Sequence, residues 1–222
     1  MTDTLYADVS SYQPDASKKY PHQFIAFRSN DGAYQDAHLA ANLAWARAAV
    51  KSGKLLGYIV YFVYETNWQQ TLATFQQMVG TEHNRRQAVM IDVESWGGKI
   101  LGDHSPDINK LREAVIAWLF SLRPRWQRLG LWRAWFKSLD RKRVIGYGNA
   151  GDLNTIWRHR GDASIVLADY TGNPSFPAEI AHQFSNNTNC PPFGACDMNS
   201  ADGRTPRQFA RQLGMGSAVW VL

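Results

Sequence analysis

Two carboxylic acids, Asp92 and Glu94, close the apolar run Val89-Met90-Ile91 in "AVMIDVESWGG", and Trp96 and two glycines follow at once. Residues at i and i+2 of a strand share a face, about 6.5–7 Å apart along it. If the run is a strand, both carboxyls point the same way and Val93 points the other. Further acids stand at comparable places: Asp8 in "ADVSSYQ", Asp169 in "LADY" and Asp197 in "ACDMN". Carboxyls gathered in one cleft cannot all ionise freely, because like-charge repulsion and an apolar wall raise at least one pKa. Glu94, beside Trp96, is the expected proton holder, with Asp92 and its fellows ionised. An acid and a carboxylate across one cleft are the equipment for cleaving a glycosidic bond, and the indole offers a face for a sugar. Each acid taken singly also suits a helix cap or an ion pair, and Asp169 could simply begin the turn before "TGNP". Clustered carboxylates would equally suit Mg²⁺ or Mn²⁺. No Gly-rich phosphate loop accompanies them, and neither a metal nor a cofactor is expected.

Eight short β-branched or aromatic segments could position these acids: 4–10, 23–29, 55–64, 88–94, 143–149, 164–170, 179–185 and 195–199. Helical patterns fill several gaps. Residues 36–53 carry Leu39, Leu43, Ala46 and Val50 on one stripe, with Gly53 as an αL stop. Residues 67–80 place Leu72, Phe75 and Val79 at helical spacing behind Asn67, a suitable N-cap. Residues 105–122 open with Ser105 and Pro106, a cap and first-turn pair. Strands alternating with helices argue a parallel sheet, and eight of them a closed barrel whose reactive groups collect at the strands' carboxyl ends. The last two strands lack an intervening helix. The expected class is therefore α/β, an irregular TIM-like β/α barrel of about eight strands with fewer helices than strands. One catalytic domain is expected over 1–222, since no linker divides the chain.

The chain has 222 residues, 45% of them hydrophobic, enough for one such barrel. Its net charge of +5 favours anionic partners without choosing among nucleic acid, lipid and acidic wall polymer. The start "MTDTLYADVS" lacks the features of an ordinary signal peptide, and no apolar run reaches membrane-spanning length. Cys190 and Cys196 are the only cysteines; a local disulfide and two free thiols are equally open. The six histidines show no ligand spacing. Segment 121–143, "SLRPRWQRLGLWRAWFKSLDRKR", mixes Arg and Lys with Trp126, Trp132 and Trp135. Such a mix could touch anionic lipid or wall polymer. An ordinary surface helix is the preferred expectation, with Leu129, Trp132 and Phe136 as its inward stripe.

The segments "DVSSYQ", "RSNDGAYQDAHLAANLAWARAAVKSGKLLGYIVYF", "MIDVES", "LADY" and "HQFSNNTNCPPFGACDMN", in that order, resemble glycoside hydrolase family 25. These are the Chalaropsis-type lysozymes, or N-acetylmuramidases, many of them bacteriophage endolysins. The resemblance covers about 5–200. It implies hydrolysis, with retention, of the β-1,4 bond between N-acetylmuramic acid and N-acetylglucosamine in peptidoglycan. By motif, it implies Glu94 as proton donor and Asp8, Asp92 and Asp197 as the other catalytic acids. Tyr61, Phe62 and Tyr147 match groove-lining aromatic positions, and Asp169 a commonly acidic one. With Trp96, these are the expected substrate-binding residues. The segment 121–142 is longer than the family's usual helix-to-strand connection, and "CPPFGAC" is an unusual lead into the final Asp. An endolysin context implies storage in the host cytoplasm before lysis and action at the wall after the membrane is opened. The expected partner is peptidoglycan, met by a monomer, with no nucleic acid and no stable membrane insertion.

Retention has two routes. An Asp attacks the anomeric carbon, or the substrate's own 2-acetamido carbonyl does so while a carboxylate steadies it. An Asp two residues before the acid, on the same face, favours the second. A catalytically silent wall-binding module is the alternative from another class, but binding alone needs no proton donor. An amidase or peptidase would need zinc ligands or a Cys/His pair, and neither is evident.

Overall fold

The computed structural model describes residues 3–173 and 175–215. Eight strands close into a barrel: β1 (Leu5–Val9), β2 (Phe24–Asp31), β4 (Tyr58–Val63), β5 (Gln87–Asp92), β6 (Val144–Asn149), β7 (Ile165–Ala168), β8 (Glu179–Cys190) and β9 (Gly194–Ser200). The order runs β1-β9-β8-β7-β6-β5-β4-β2, and β1 pairs with β2 to shut the ring. A two-residue strand, β3 (Tyr34–Gln35), folds back on the end of β2. Among the described residues seven helices complete the irregular TIM-like β/α barrel, fewer than its strands, as expected. Pairings are parallel from β1 through β2 to β8, whereas β9 runs antiparallel to both β8 and β1. The physical cause is the tight "PPFG" turn after Cys190, which leaves no room for a crossover helix.

Strand alternation divides the core in two. Ala7, Val9, Phe27, Val60, Phe62, Val89, Ile91 and Val93 belong to the layer between barrel and helices. Tyr6, Ala26, Ile59, Ala88, Met90, Ile145, Tyr147 and Val166 fill the barrel itself. The two-residue period sets which side chains reach the interior.

The expected helices are present as α1 (Leu39–Lys51), α2 (Trp68–Val79) and α3 (Ser105–Ser121). Asn67 caps α2 by accepting from Gln70 N, and Gly53 ends α1 at φ +79°. Ser105 is not the cap of α3: His104 holds that position, and the Ser105 amide is bound by Asp103 Oδ1 at 2.9 Å. Ser105 Oγ instead accepts from His159 N.

Segment 121–143 differs from its expected form. It makes two short helices, α4 (Arg125–Arg128) and α5 (Arg133–Lys142), separated at Gly130, φ +77°. The break takes Leu129 and Trp132 off any common inward stripe. Both are exposed, and only Phe136 of the predicted three is buried. After these come β6, α6 (Ala150–Thr155), β7 to β9 and α7 (Pro206–Gln212), whose Thr205–Gln208 capping box fixes its start. No helix among the described residues is long and apolar enough to cross a membrane. Cys190 and Cys196 are buried free thiols in the β8–β9 hairpin.

Candidate active site

Alternation on β5 directs Asp92 to the interior and continues the same face to Glu94, while Val93 is fully buried in the helix-facing layer. Asp8 occupies the interior face of β1 after Tyr6. Asp197 arrives differently from the expectation, because β9 descends from the mouth instead of ending there. Its position comes from register: Asp197 is paired with Asp8 across the antiparallel β1–β9 ladder. Directly opposed residues of such a ladder hold their Cβ atoms about 4.5–5.5 Å apart, where like charges repel. Asp8, Asp92, Glu94 and Asp197 thus gather at one end of the barrel.

Burial raises all four. Glu94, half-buried, is raised to about 7, first by desolvation and then by Asp152 and Asp197. Desolvation lifts Asp197 to about 6. Asp8 is pushed well up by burial, then by Asp197 opposite it; a hydrogen bond from the Tyr61 phenol works the other way. Asp92 is pushed well up by burial, then by Glu94 and Asp8. The direction of the shift is thus shared by all four acids and does not by itself set Glu94 apart. Asp8 and Asp92 are buried more deeply, and each has one buried oxygen, Oδ1, without a protein hydrogen-bond partner. Buried acceptors without a protein partner are rare and call for a donor from water, an ion or a ligand. Among the described residues, no three His, Cys, Asp or Glu side chains converge as metal ligands do.

The remaining predicted residues divide. Tyr61 lies on the interior face beside Asp8, and Trp96 is exposed just after Glu94 with φ +47°. Tyr147 is interior, its hydroxyl donating to Gln183 Oε1 at 2.8 Å. Phe62 does not line the mouth. Adjacent strand residues face opposite ways, so with Tyr61 inside, Phe62 lies outside, fully buried against Phe75 with ring centroids 4.9 Å apart. Asp169 is not part of the cluster. Its Oδ1 accepts from Thr171 N at 2.8 Å and Thr171 Oγ1 at 2.7 Å, and these bonds hold its carboxyl below the usual range. It is the turn-former that "TGNP" suggested. Neither of two surface hollows contains the acids. One of about 480 Å³ is lined by the Arg112–Asp162–Arg141–Glu113 ion pairs, and one of about 380 Å³ lies beside Asp31, Glu65 and Lys99.

No family model matches the chain. Uncharacterized protein Rv3766 of Mycobacterium tuberculosis is 37% identical over 226 residues, covering 97% of this chain and 75% of that one. This chain belongs to the same family as Rv3766. Solved structures share the Rv3766-family fold at low identity. The CTP1L endolysin aligns over 95% of this chain and 70% of its own, at 14% identity and TM-score 0.66. A bacterial lysozyme from Streptomyces coelicolor aligns over 97% and 100%, at 16% and 0.61. A muramidase from Acremonium alcalophilum aligns over 95% and 99%, at 13% and 0.62.

Sequence reasoning about this Rv3766 relative missed several residues at the mouth. Arg28 is the one cation of "FIAFRSND", on the parity of Phe24 and Ala26, which was the available signal. It donates to Asp36 Oδ2 at 3.0 Å and to Ser11 Oγ at 2.9 Å, and the exposed rings of Tyr12 and Tyr34 flank its guanidinium. Its charge lowers Asp8 and Asp92 only as a minor influence. Gln183 accepts from both Tyr147 and the half-exposed Tyr170. Asp152 fixes the chain after the acid by accepting from Ser95 N at 3.0 Å. Gly148 lets that chain approach β6: a Cβ there would lie 2.5 Å from the Val93 carbonyl oxygen and 3.2 Å from Leu153 Cγ. Gly148→Ala is expected to lower stability by about 1–3 kcal/mol, as overpacking does. A urea midpoint that does not move would contradict this close approach.

Proposed function

We propose that the chain is an endolysin-type N-acetylmuramidase that cleaves the β-1,4 bond between N-acetylmuramic acid and N-acetylglucosamine with retention. The observation that carries this reading is the half-buried Glu94, raised to about 7, sharing the interior face of one strand end with Asp92. The muramidase and lysozyme folds described above support it, as does the 5–200 resemblance to glycoside hydrolase family 25. In this reading Glu94 donates its proton to the glycosidic oxygen as the C1–O bond breaks. The substrate's 2-acetamido oxygen takes up the anomeric carbon, and the buried, unpartnered Asp92 Oδ1 accepts the acetamido N–H. Asp197 and Asp8 position that group and stabilise positive charge. Water then opens the ring intermediate, giving its proton to the Glu94 carboxylate and restoring the acid. Tyr61, Tyr147 and Trp96 line the sugar path.

The test is digestion of purified peptidoglycan with mass spectrometry of the fragments. Reducing-end muramic acid is expected. Reducing-end glucosamine would make the enzyme a glucosaminidase, freed stem peptides an amidase, and no release a silent wall-binding module. A trapped glycosyl-Asp adduct would replace substrate assistance with an Asp nucleophile. The pH dependence follows from the site. Activity needs Glu94 protonated, so it falls as pH rises through about 7. It needs Asp197 ionised, so it falls as pH drops through about 6. The rate on soluble glycan fragments is expected to trace a narrow bell between these limbs. A rate still climbing at pH 8 would remove Glu94 as the acid.

A further inference from the structure

The proposed chemistry leaves segment 121–143 unused. Its outer surface is apolar at the centre: Leu131 is 99% exposed at the turn made by Gly130, Trp132 is 66% exposed, and Trp126, Leu129 and Trp135 are more than half exposed. This surface is braced from behind. Trp126 and Trp135 pack edge-on against the buried Phe136, with ring centroids at 5.7 and 4.8 Å. The Arg123 guanidinium covers the ring of Phe136 at 5.0 Å while it grips Asp140. Around the apolar centre the exposed charges are Arg125, Arg133, Lys137 and Lys142. Asp140, the one acid of the segment, is fully buried, so the segment itself exposes no negative charge; Glu113 and Asp162 from outside it pair with Arg141.

We infer that this face docks on an anionic phospholipid bilayer, with Leu131 and Trp132 entering the headgroup–acyl boundary and the surrounding cations meeting lipid phosphates. Large apolar side chains gathered on one rim of a protein mark an interaction site. Indole rings flanked by cations fit the membrane interface, where an apolar body and a polar tip are both satisfied. Charge complementarity with anionic headgroups supplies the second attraction that stable peripheral binding needs. A soluble wall polyanion would satisfy the cations and leave the Leu131 side chain in water, so the bilayer is the better fit. The orientation follows from topology. Arg143, just after α5, donates to the carbonyl of Gln87, the first residue of β5. The segment therefore lies at the amino ends of the strands, opposite the acids. A docked molecule turns its barrel mouth away from the membrane.

The whole chain is to be sedimented with vesicles of phosphatidylcholine alone and of phosphatidylcholine with phosphatidylglycerol. Binding is expected to the anionic vesicles, to weaken as salt rises, and to be accompanied by quenching of tryptophan emission by brominated acyl chains. The double variant Leu131→Ser, Trp132→Ser is expected to lose about tenfold or more of this partitioning, with unchanged hydrolysis of lipid-free peptidoglycan. Equal partitioning of variant and wild type, or none by either, would overturn the inference. So would binding to soluble polyphosphate without lipid quenching, or a dimer in solution that the double variant abolishes. The vesicle readout needs no hydrolysis, so it stands separately from the muramidase reading.

Discussion

Glu94→Gln is expected to fold normally and to lose glycan cleavage by about 10²–10⁴-fold, the usual contribution of a positioned general acid. Glutamine keeps the shape and the hydrogen-bonding capacity of the side chain but has no proton to give the departing oxygen. The loss belongs in kcat, with KM little changed, because the sugar contacts proposed for Trp96 and Tyr61 are left in place. A second readout separates this role from a merely structural one. In the native protein Glu94 binds its proton more tightly than in the unfolded chain, its pKa rising from 4.5 to about 7. As pH rises past 4.5 the unfolded ensemble ionises first and is favoured, so wild-type stability declines until pH passes about 7. The variant lacks Glu94's share of this decline, while the shares of Asp8, Asp92 and Asp197 remain in both proteins. It should match wild type near pH 4 and exceed it at pH 8 by about 1–3 kcal/mol, since the full shift sets a ceiling of about 3 kcal/mol and Glu94 is not fully buried. Denaturant titrations at the two pH values give the comparison. Undiminished cleavage by the variant would end the muramidase mechanism; equal stability at pH 8 would mean that burial does not raise this carboxyl.

The two readouts together describe a site held at a cost. Carboxyls pressed together away from water destabilise the fold, a cost that the proposed chemistry would account for. The unpartnered oxygens of Asp8 and Asp92 belong to the same compromise: an acetamido N–H entering the mouth would supply the missing donor. Arg28 stands close enough to influence both acids but is committed to Asp36 and Ser11, so it tempers the cluster without neutralising it.

How much of this was legible depended on which physical rule governed each element. All eight barrel strands were readable, because each is a short apolar segment with turn residues at its ends. The two-residue β3 is too short to leave a pattern. The inward direction of Asp92 and Glu94 followed from strand parity alone. The same parity should have separated Tyr61 from Phe62, which cannot both face the mouth. Asp197 was found by its residue type, but what brings it to Asp8 is long-range antiparallel register, which no local pattern encodes. Asp169 illustrates the reverse: Thr171, two residues on, satisfied its carboxyl locally, and the neighbouring turn signal was the better guide. In segment 121–143 helical spacing suggested one inward stripe, yet Gly130 breaks the helix, and the stripe with it.

The buried ion triad at the root of that segment leads to the largest expected stability loss. Asp140 is wholly excluded from water and is held by Arg123 Nε and Nη2 at 2.6 and 2.8 Å and by Arg143 Nη1 at 2.9 Å. Burial lowers Arg143 to about 10, which leaves it charged at neutral pH. Arg143 also donates to the carbonyls of Gln87 and Asn84, tying α5 to the start of β5. Asp140→Ala would leave two guanidinium groups facing each other without an anion in a dry site. Removing one partner of such a buried pair costs about 3–5 kcal/mol, because the remaining charge loses its compensation while still deprived of water. Against the 5–15 kcal/mol typical of a whole domain, that is enough to lower the urea midpoint sharply. Asp140→Asn keeps an acceptor oxygen for one guanidinium and removes the charge, so it should be intermediate if electrostatics dominate and nearly as damaging if two-fold acceptance does. A midpoint for Asp140→Ala within about 1 kcal/mol of wild type would show that water reaches the arginines once the acid is gone.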